Sequence, residues 1–356
     1  MASSDATPIR VDDRYARVRG KVMVHVGDNT RAAALASYAD GVVLHGEAGY
    51  DAAREVTTVE AVLIDPERYT TDRGRRSIPP HSFESLEESA MRQLAAGATC
   101  LLAPSRFPDD RDAASLREVL AIGQEFVERA GAVDPTVPSL VPVVVRYDEL
   151  ANRTWSRLVH ESGIPVATVF AGYADPLASH AQLEGAIDLV QQASVAIALR
   201  CDVSIAGLVA LGAASGAIGA SSAMRHLWLP SKRGRGGRAD TMFIPAPANW
   251  MKTGFIRQAA ADPDLDEIFL CTCIVCGPGG DVRALAGSEV AQEMRDRHSV
   301  AAAVKLVRRV VDADQPVDAW RESCRRAVAA YATLKRLGVT GPAEPGFLGA
   351  WLDVLG

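Results

Sequence analysis

Over roughly the first 225 residues, short aliphatic and β-branched runs alternate with segments whose apolar positions recur every three to four residues. That alternation is the signature of a parallel α/β fold. Eight runs predict strands: "KVMVHVG" (21–27), "GVVLHG" (41–46), "VEAVLID" (59–65), "TCLLAP" (99–104), "LVPVVVRYD" (140–148), "PVATVFAG" (165–172), "VAIALRCD" (195–202) and "SGAIGASSAM" (215–224). Several are almost wholly apolar, as strands covered on both faces must be. Between them, "SLEESAMRQLAAGA" (85–98) and "ASLREVLAIGQEFVERAG" (114–131) carry the helical period. Eight such strands predict an α/β fold of the closed (β/α)8 type, a TIM barrel, rather than an open doubly wound sheet. No G-x-G-x-x-G follows the first run, which argues further against a dinucleotide fold.

The rhythm changes after "MRHLWLPSKRGRGGRAD" (224–240). "TMFIPAPANWMKTGF" (241–255) is broken by proline and reads as irregular, "SEVAQEMRDRHSVAAAVKLVRRVVD" (288–312) reads as one long helix, and "AWRESCRRAVAAYATLKRLG" (319–338) as another on the outside of the barrel. The expected organisation is an N-terminal extension (1–20), a barrel core (21–240), a metal-binding subdomain (241–312) and a C-terminal helical segment (313–356).

With 356 residues, 48% of them hydrophobic and 23% charged, the composition is that of a globular protein with a large core. No apolar run reaches the roughly 18–20 residues of a membrane helix, and the first twenty residues lack the apolar stretch of a signal peptide. A cytoplasmic location with reduced thiols is expected, and no membrane partner. The net charge of −6 gives no global attraction for nucleic acid, so any such contact requires a local patch. "SKRGRGGRAD" (231–240) supplies Lys232, Arg233, Arg235 and Arg238 among three glycines, either as a solvated loop or as a phosphate-binding stretch.

Three of the six cysteines fall in "LCTCIVC", as the C-x-C-x-x-C of Cys271, Cys273 and Cys276, followed by the turn-forming "GPGG". The one histidine after them, His298, shares a helical face with Met294 and Ala301. Three thiolates and an imidazole make a closed tetrahedral set for structural zinc, with no position open for a catalytic water. A core histidine satisfied by packing is the competing reading. The spacing is not the C-x-x-C of thioredoxin-like redox sites, and no βαβ start follows it. In a barrel of this type chemistry sits at the C-terminal ends of the strands. The polar residues there are Asp65, Ser105, Arg106, Arg146, Asp148, Arg200, Asp202, Ser221, Ser222 and Arg225. The pairs Arg146/Asp148 and Arg200/Asp202 suit simple salt bridges as well as substrate contacts.

An eight-stranded barrel followed by C-x-C-x-x-C and a helix-borne histidine resembles the tRNA-guanine transglycosylase family. "VHVGDNTRAAALASYADGVVLHGEAGY" (24–50) looks like that family's opening, where a "PVGT" segment leads to a strand ending in an "LGNTYH"-like turn. "VEAVLIDPERY" (59–69) stands in the place of the strand ending in "DSGGFQ", and "GAIGASSAMRHLWLPSKRGRGG" (216–237) in that of the "PTR"-containing segment before the zinc site. The likeness runs from about residue 20 to residue 310; only the zinc motif is specific within it, and its histidine spacing is a few residues shorter than usual. It implies exchange of guanine for a 7-deazaguanine base in tRNA, or in DNA, with structural Zn2+. It also implies partners: nucleic acid, a purine or 7-deazaguanine base, and a homodimer or a heterodimer with a subunit of the same family. Asp65 is then the counterpart of the acid/base aspartate, although Pro-Glu-Arg-Tyr follows it where the family has Ser-Gly-Gly-Phe.

The family's nucleophilic aspartate has no acidic counterpart, because no Asp or Glu occurs between Asp202 and Asp240. Matching the glycine before the eighth strand puts Ser221 there; matching "LPSK" to the family's "MPTR" puts His226 there. Asp202, one strand away, is the candidate for the missing carboxylate. Beside such a site the Lys232–Arg238 loop is expected to follow a phosphate backbone, while Trp228 and Trp250 stack on bases or pack. Two alternatives remain open: a non-catalytic subunit of the same descent that binds nucleic acid or a partner, and a zinc-stapled barrel enzyme acting on a small molecule.

Overall fold

The computed structural model describes residues 13–356 except 28, 68, 70–84, 109–111, 230–239, 260–261, 288 and 340–342. Its centre is a barrel of parallel strands: β1 (Val22–His25), β2 (Gly41–His45), β3 (Ala61–Asp65), β4 (Leu101–Leu102), β5 (Ser139–Arg146), β6 (Val166–Gly172), β7 (Ala196–Cys201) and β8 (Ser215–Gly219). The pairing order is β3-β2-β1-β8-β7-β6-β5-β4, and an isolated parallel bridge between Leu63 and Cys100 joins the two ends of that order. The (β/α)8 architecture expected from the hydrophobic rhythm is therefore the one observed.

The connecting helices are α1 (Ala32–Ala36), α2 (Gly46–Glu55), α3 (Leu86–Ala95), α4 (Ala113–Val133), α5 (Tyr147–Leu150), α6 (Thr154–Ser162), α7 (His180–Gln192) and α8 (Ile205–Ala210). Local chemistry sets their ends. Ser85 and Glu88 form a reciprocal capping box at α3, Asp112 and Ser179 cap α4 and α7, and Gly163 closes α6 in the left-handed region. Strand side chains divide by period two. Met23, Val43, Leu63, Leu102, Val144, Val169 and Leu199 fill the barrel interior. Val24, Leu44, Ile64 and Val143 join the layer between strands and helices. At Gly185 on α7, an added Cβ would lie 1.8 Å from the Leu150 carbonyl oxygen, so only glycine permits α7 to approach α5 this closely.

Two features break the regular barrel on its C-terminal side. The β7–β8 register shifts between Ala198 and Cys201, and Arg200 within that bulge has φ 51°. The β6–β7 pairing ends at Val169–Leu199. Beyond it, β9 (Leu227–Trp228) pairs with the end of β6, Ala171 with Leu227 and Gly172 with Trp228. Leu227 and Leu229 thereby join the interior cluster and cap it. The eighth predicted run, 215–224, is strand only to Gly219; Ser222–Met224 is a 3-10 turn.

The stretch read as irregular forms a hairpin, β10 (Thr241–Ile244) with β11 (Asn249–Lys252), its prolines confined to the turn. After it come α9 (Thr253–Ala259), α10 (Asp266–Phe269), the two-residue pair β12 (Leu270–Cys271) and β13 (Gly280–Asp281), α11 (Gln292–Val311), α12 (Pro316–Arg336) and α13 (Gly346–Leu355). α11 packs on the hairpin and on α8 and β1, while α12 and α13 cover α8 and α7. Trp320 and Trp351 meet edge to face at 5.8 Å over Gly207. No described helix is long and apolar enough to cross a membrane.

Candidate metal centre and active site

Cys271 ends β12 and is paired with Gly280 of β13, and the intervening turn carries Cys273 and Cys276. The Gly277 N–H donates to the Cys273 carbonyl at 2.9 Å, and Gly277 and Gly279 take φ of 74° and 68°, conformations that glycine adopts without strain. The turn so formed aims three sulfurs at the buried imidazole of His298 on α11. Its Nδ1 lies 3.5 Å from Cys273 Sγ and 3.1 Å from Cys276 Sγ. On the other side of the ring, Nε2–H donates to the Phe243 carbonyl at 2.9 Å. That bond places the proton on Nε2 and leaves the Nδ1 lone pair facing the sulfurs, the usual arrangement of a ligating histidine. All four ligand atoms lie within 4.8 Å of one another. Hydrogen bonds to Cys271 and Cys276 hold the Cys273 thiol far below its ordinary range, and those to Cys271 and Cys273 push Cys276 far above it. Three sulfurs this close can all ionise only with a cation among them, and the group can hold a metal ion.

The second cluster lies inside the barrel mouth. Counting by twos from the interior residues Met23, Val43 and Leu63 gives His25, His45 and Asp65, the last residues of β1, β2 and β3. Asp65 is fully buried. Its Oδ1 accepts the Glu67 N–H at 2.9 Å and its Oδ2 accepts the Tyr69 hydroxyl. Tyr69 Oη accepts from Arg200 Nε at 3.3 Å. Arg200 also forms a buried salt bridge to Glu67 Oε1, and Glu67 Oε2 lies 2.7 Å from His45 Nδ1. His45 Nε2 faces the Gly27 carbonyl at 3.0 Å. Side chains from three strand ends, those of β2, β3 and β7, thus form one connected chain: His45, Glu67, Arg200, Tyr69, Asp65.

Burial raises the Asp65 carboxyl above its ordinary range, although Arg200, the Tyr69 hydrogen bond and His45 pull the other way. Burial and the Asp65 charge push the Tyr69 phenol well up. His25, also fully buried, is pushed well below 6.5 by burial, then by the charges of Arg200 and His45. Neither of its ring nitrogens has a hydrogen-bond partner among the described residues.

Asp202 belongs to a different neighbourhood. Its Oδ1 accepts the Ser204 N–H at 2.8 Å. Burial and the charge of Asp202 raise Asp175, at the end of the β6 segment, to about 7. Burial raises Asp202 too, against the Ser204 N–H and Arg225. Arg225 is lowered to about 10 by burial, against Asp202, and its guanidinium stacks 4.1 Å from the Trp250 ring centroid. His226 lies 4.0 Å from Trp228, centroid to centroid, and burial together with Arg225 lowers it to about 4. The half-buried Ser221 hydroxyl comes within 3.0 Å of where a Cβ on Gly27 would stand, placing Ser221 at the rim between β8 and β1.

Asp65 and Asp202 therefore sit in separate hydrogen-bonded groups. Arg146 grips Asp148 through two hydrogen bonds of 3.1 and 3.2 Å, whereas Arg200 turns from Asp202 to Glu67. Trp250 packs on Phe243 at 4.6 Å, and Trp228, 36% exposed, donates to the Ser222 carbonyl at 3.1 Å. Lys232, Arg233, Arg235 and Arg238 lie outside the described residues. His25, His45, Glu67, Tyr69 and Asp175 were not singled out in the sequence; for the two histidines, the inward parity of their strands was the available signal.

No family model matches the sequence, and no curated protein matches it. Among solved structures the chain is similar to one titled "QR15, an Aldolase", at 14% identity and a TM-score of 0.36, over 59% of this chain and 93% of that one. Another, titled "Structural study of Project ID from Aquifex aeolicus VF5", is similar at 9% identity and a TM-score of 0.34, over 59% of this chain and 88% of that one. Likenesses this distant concern the fold alone.

Proposed function

We propose that the protein is a divergent transglycosylase of the tRNA-guanine type, exchanging guanine for a 7-deazaguanine base in tRNA or DNA. The observation that carries this reading is the Cys271/Cys273/Cys276/His298 group set behind an eight-stranded barrel, the combination on which the family resemblance rests. The metal is assigned as zinc. With Zn–S bonds of ~2.3 Å a tetrahedral site has edges of roughly 3.8 Å, close to the separations of these donors, and a Cys3His set suits zinc chemically. With four protein ligands the ion supplies a cross-link and no reactive position.

Base exchange needs a group that protonates the departing purine and later deprotonates the incoming one. Asp65 suits that role: its strand end faces the mouth, and burial raises its carboxyl above the ordinary carboxylate range. The Lys232–Arg238 loop is assigned to the phosphate backbone. The zinc-loaded protein incubated with labelled guanine and bulk tRNA or duplex DNA is expected to incorporate label into the polymer. Asp65→Asn is expected to slow incorporation by about 10²–10⁴-fold, the usual worth of a general acid. Neutralising the four loop cations is expected to weaken binding and flatten its salt dependence. No incorporation into either polymer, with or without a family partner subunit, refutes the reading. The lack of a carboxylate at Ser221 or His226 favours a second reading, a binding subunit without turnover. It predicts salt-sensitive binding with no label transfer.

A further inference from the structure

The missing nucleophile is the gap in that mechanism, and the barrel mouth contains a carboxylate that fills it. We propose that Glu67 is the residue that attacks the sugar, an inference that rests on the transglycosylase reading.

Three independent features single out Glu67. It stands two residues beyond Asp65, the last residue of β3, and its N–H donates to the Asp65 carboxylate, so the two carboxylates are tied together. Its own carboxylate is oriented from two sides, by Arg200 on Oε1 and His45 on Oε2. A carboxylate offers roughly four acceptor directions, and the guanidinium on one oxygen with the imidazole on the other fix its orientation. It is also the more reachable of the two, 17% exposed at the side chain against a fully buried Asp65.

Backbone strain points to the same pair. Glu67 and Arg200 have φ of 52° and 51°, a left-handed conformation that costs a side-chain-bearing residue energy. They lie on different elements, Glu67 just after β3 and Arg200 in the β7 bulge, yet they form a salt bridge with each other. Strain at both ends of one buried ion pair indicates a geometry kept for that contact. Two carboxylates in unlike surroundings are the arrangement that divides acid from nucleophile.

The step balances. A Glu67 oxygen attacks C1′ of the target nucleoside as the bond from C1′ to the purine nitrogen breaks. That electron pair stays on the purine, which takes the Asp65 proton and leaves as neutral guanine. The incoming base gives its ring N–H proton to Asp65, and its nitrogen attacks C1′. The glycosyl ester then breaks, and Glu67 returns as carboxylate.

The test is to quench the zinc-loaded protein with its nucleic acid in denaturant, isolate the covalent protein–polynucleotide species and map the modified peptide. Glu67 is expected to carry the adduct. Glu67→Gln, nearly isosteric, should abolish the adduct and slow guanine exchange by on the order of 10³-fold or more. Its circular dichroism and melting are measured alongside to separate this from unfolding. Glu67→Ala should recover exchange on addition of formate, a response that a purely structural salt bridge would not produce. An adduct mapped to Asp202 or Ser221, or exchange persisting in Glu67→Gln, overturns the assignment while leaving the transglycosylase reading intact. Absence of exchange by the wild-type protein removes that reading and this inference with it.

Discussion

At the residue scale the barrel mouth sets ionisable groups against their surroundings in opposite senses, so their effects on stability can be separated. Asp175 is raised from 3.8 to about 7, chiefly by burial and then by the charge of Asp202. Between those values the folded chain holds a proton that the unfolded chain has released, so the cost of ionising Asp175 is absent near pH 4 and complete above pH 7. Asp175→Asn keeps the acceptor for the Leu177 N–H and removes that cost. The variant is expected to melt higher than wild type at pH 8, with the gain fading by pH 4.5; a gain independent of pH contradicts the assignment. His25 works the other way. Its folded value lies well below 6.5, so the unfolded chain takes up a proton there first and stability is lost as pH falls below about 6.5. His25→Gln should flatten that loss between pH 7.5 and 5, read from paired thermal melts. His25 and His45 were open to parity counting, since His25 follows Met23 by two and His45 follows Val43 by two. The pairing of Glu67 with Arg200 was not, because it joins two left-handed residues 133 positions apart and neither is glycine.

At the scale of elements, the hydrophobic period specified the regular barrel and missed its exceptions. The eight apolar runs are the eight strands because a strand buried on both faces has to be continuously apolar. β9 carries only two paired residues and has no period to detect; its place exists because the β7 bulge at Arg200 leaves the end of β6 without its neighbour. The β10–β11 hairpin was hidden for a related reason: Pro245 and Pro247 look like strand breakers, yet both fall in the turn, where no ladder N–H is required. β9 caps the barrel through Leu227, 6% exposed, and Leu229, 7% exposed. Leu227→Ala leaves a cavity there and should cost about 2–5 kcal/mol, measured by denaturant unfolding. A cost below about 1 kcal/mol would mean that β9 rests on the surface rather than closing the interior.

At the scale of the molecule, the candidate metal centre links three parts that are otherwise separate in sequence. The Cys271–Cys276 turn supplies sulfurs and α11 supplies His298, which in turn holds the Phe243 carbonyl of β10. Ser299, the next residue of α11, accepts the Phe243 N–H at 3.0 Å, so the hairpin and the helix are fastened through both backbone polar groups of one residue. α11 then runs on to the barrel, packing against β1 and α8, and Arg308 bonds Asp40 at the foot of β2. Without an ion the three thiols repel one another when ionised, and the His298 lone pair has only sulfur to face. Cys276→Ser or prolonged chelation should therefore release the metal and loosen residues 241–311 first, with the barrel losing the support of α11 behind β1. Elemental analysis should give about one zinc per chain before treatment and none after it. Amide exchange should quicken in the hairpin and the first half of α11 before it does in β5 and β6. The melting temperature should fall by about 10 °C or more, since each kcal/mol moves a domain of roughly this size by about 2–4 °C. Unchanged exchange and melting after complete metal loss would mean that the Phe243 contacts alone hold α11 to the hairpin. The four side chains would then form a packed cluster, and the observation that carries the proposed function would be gone.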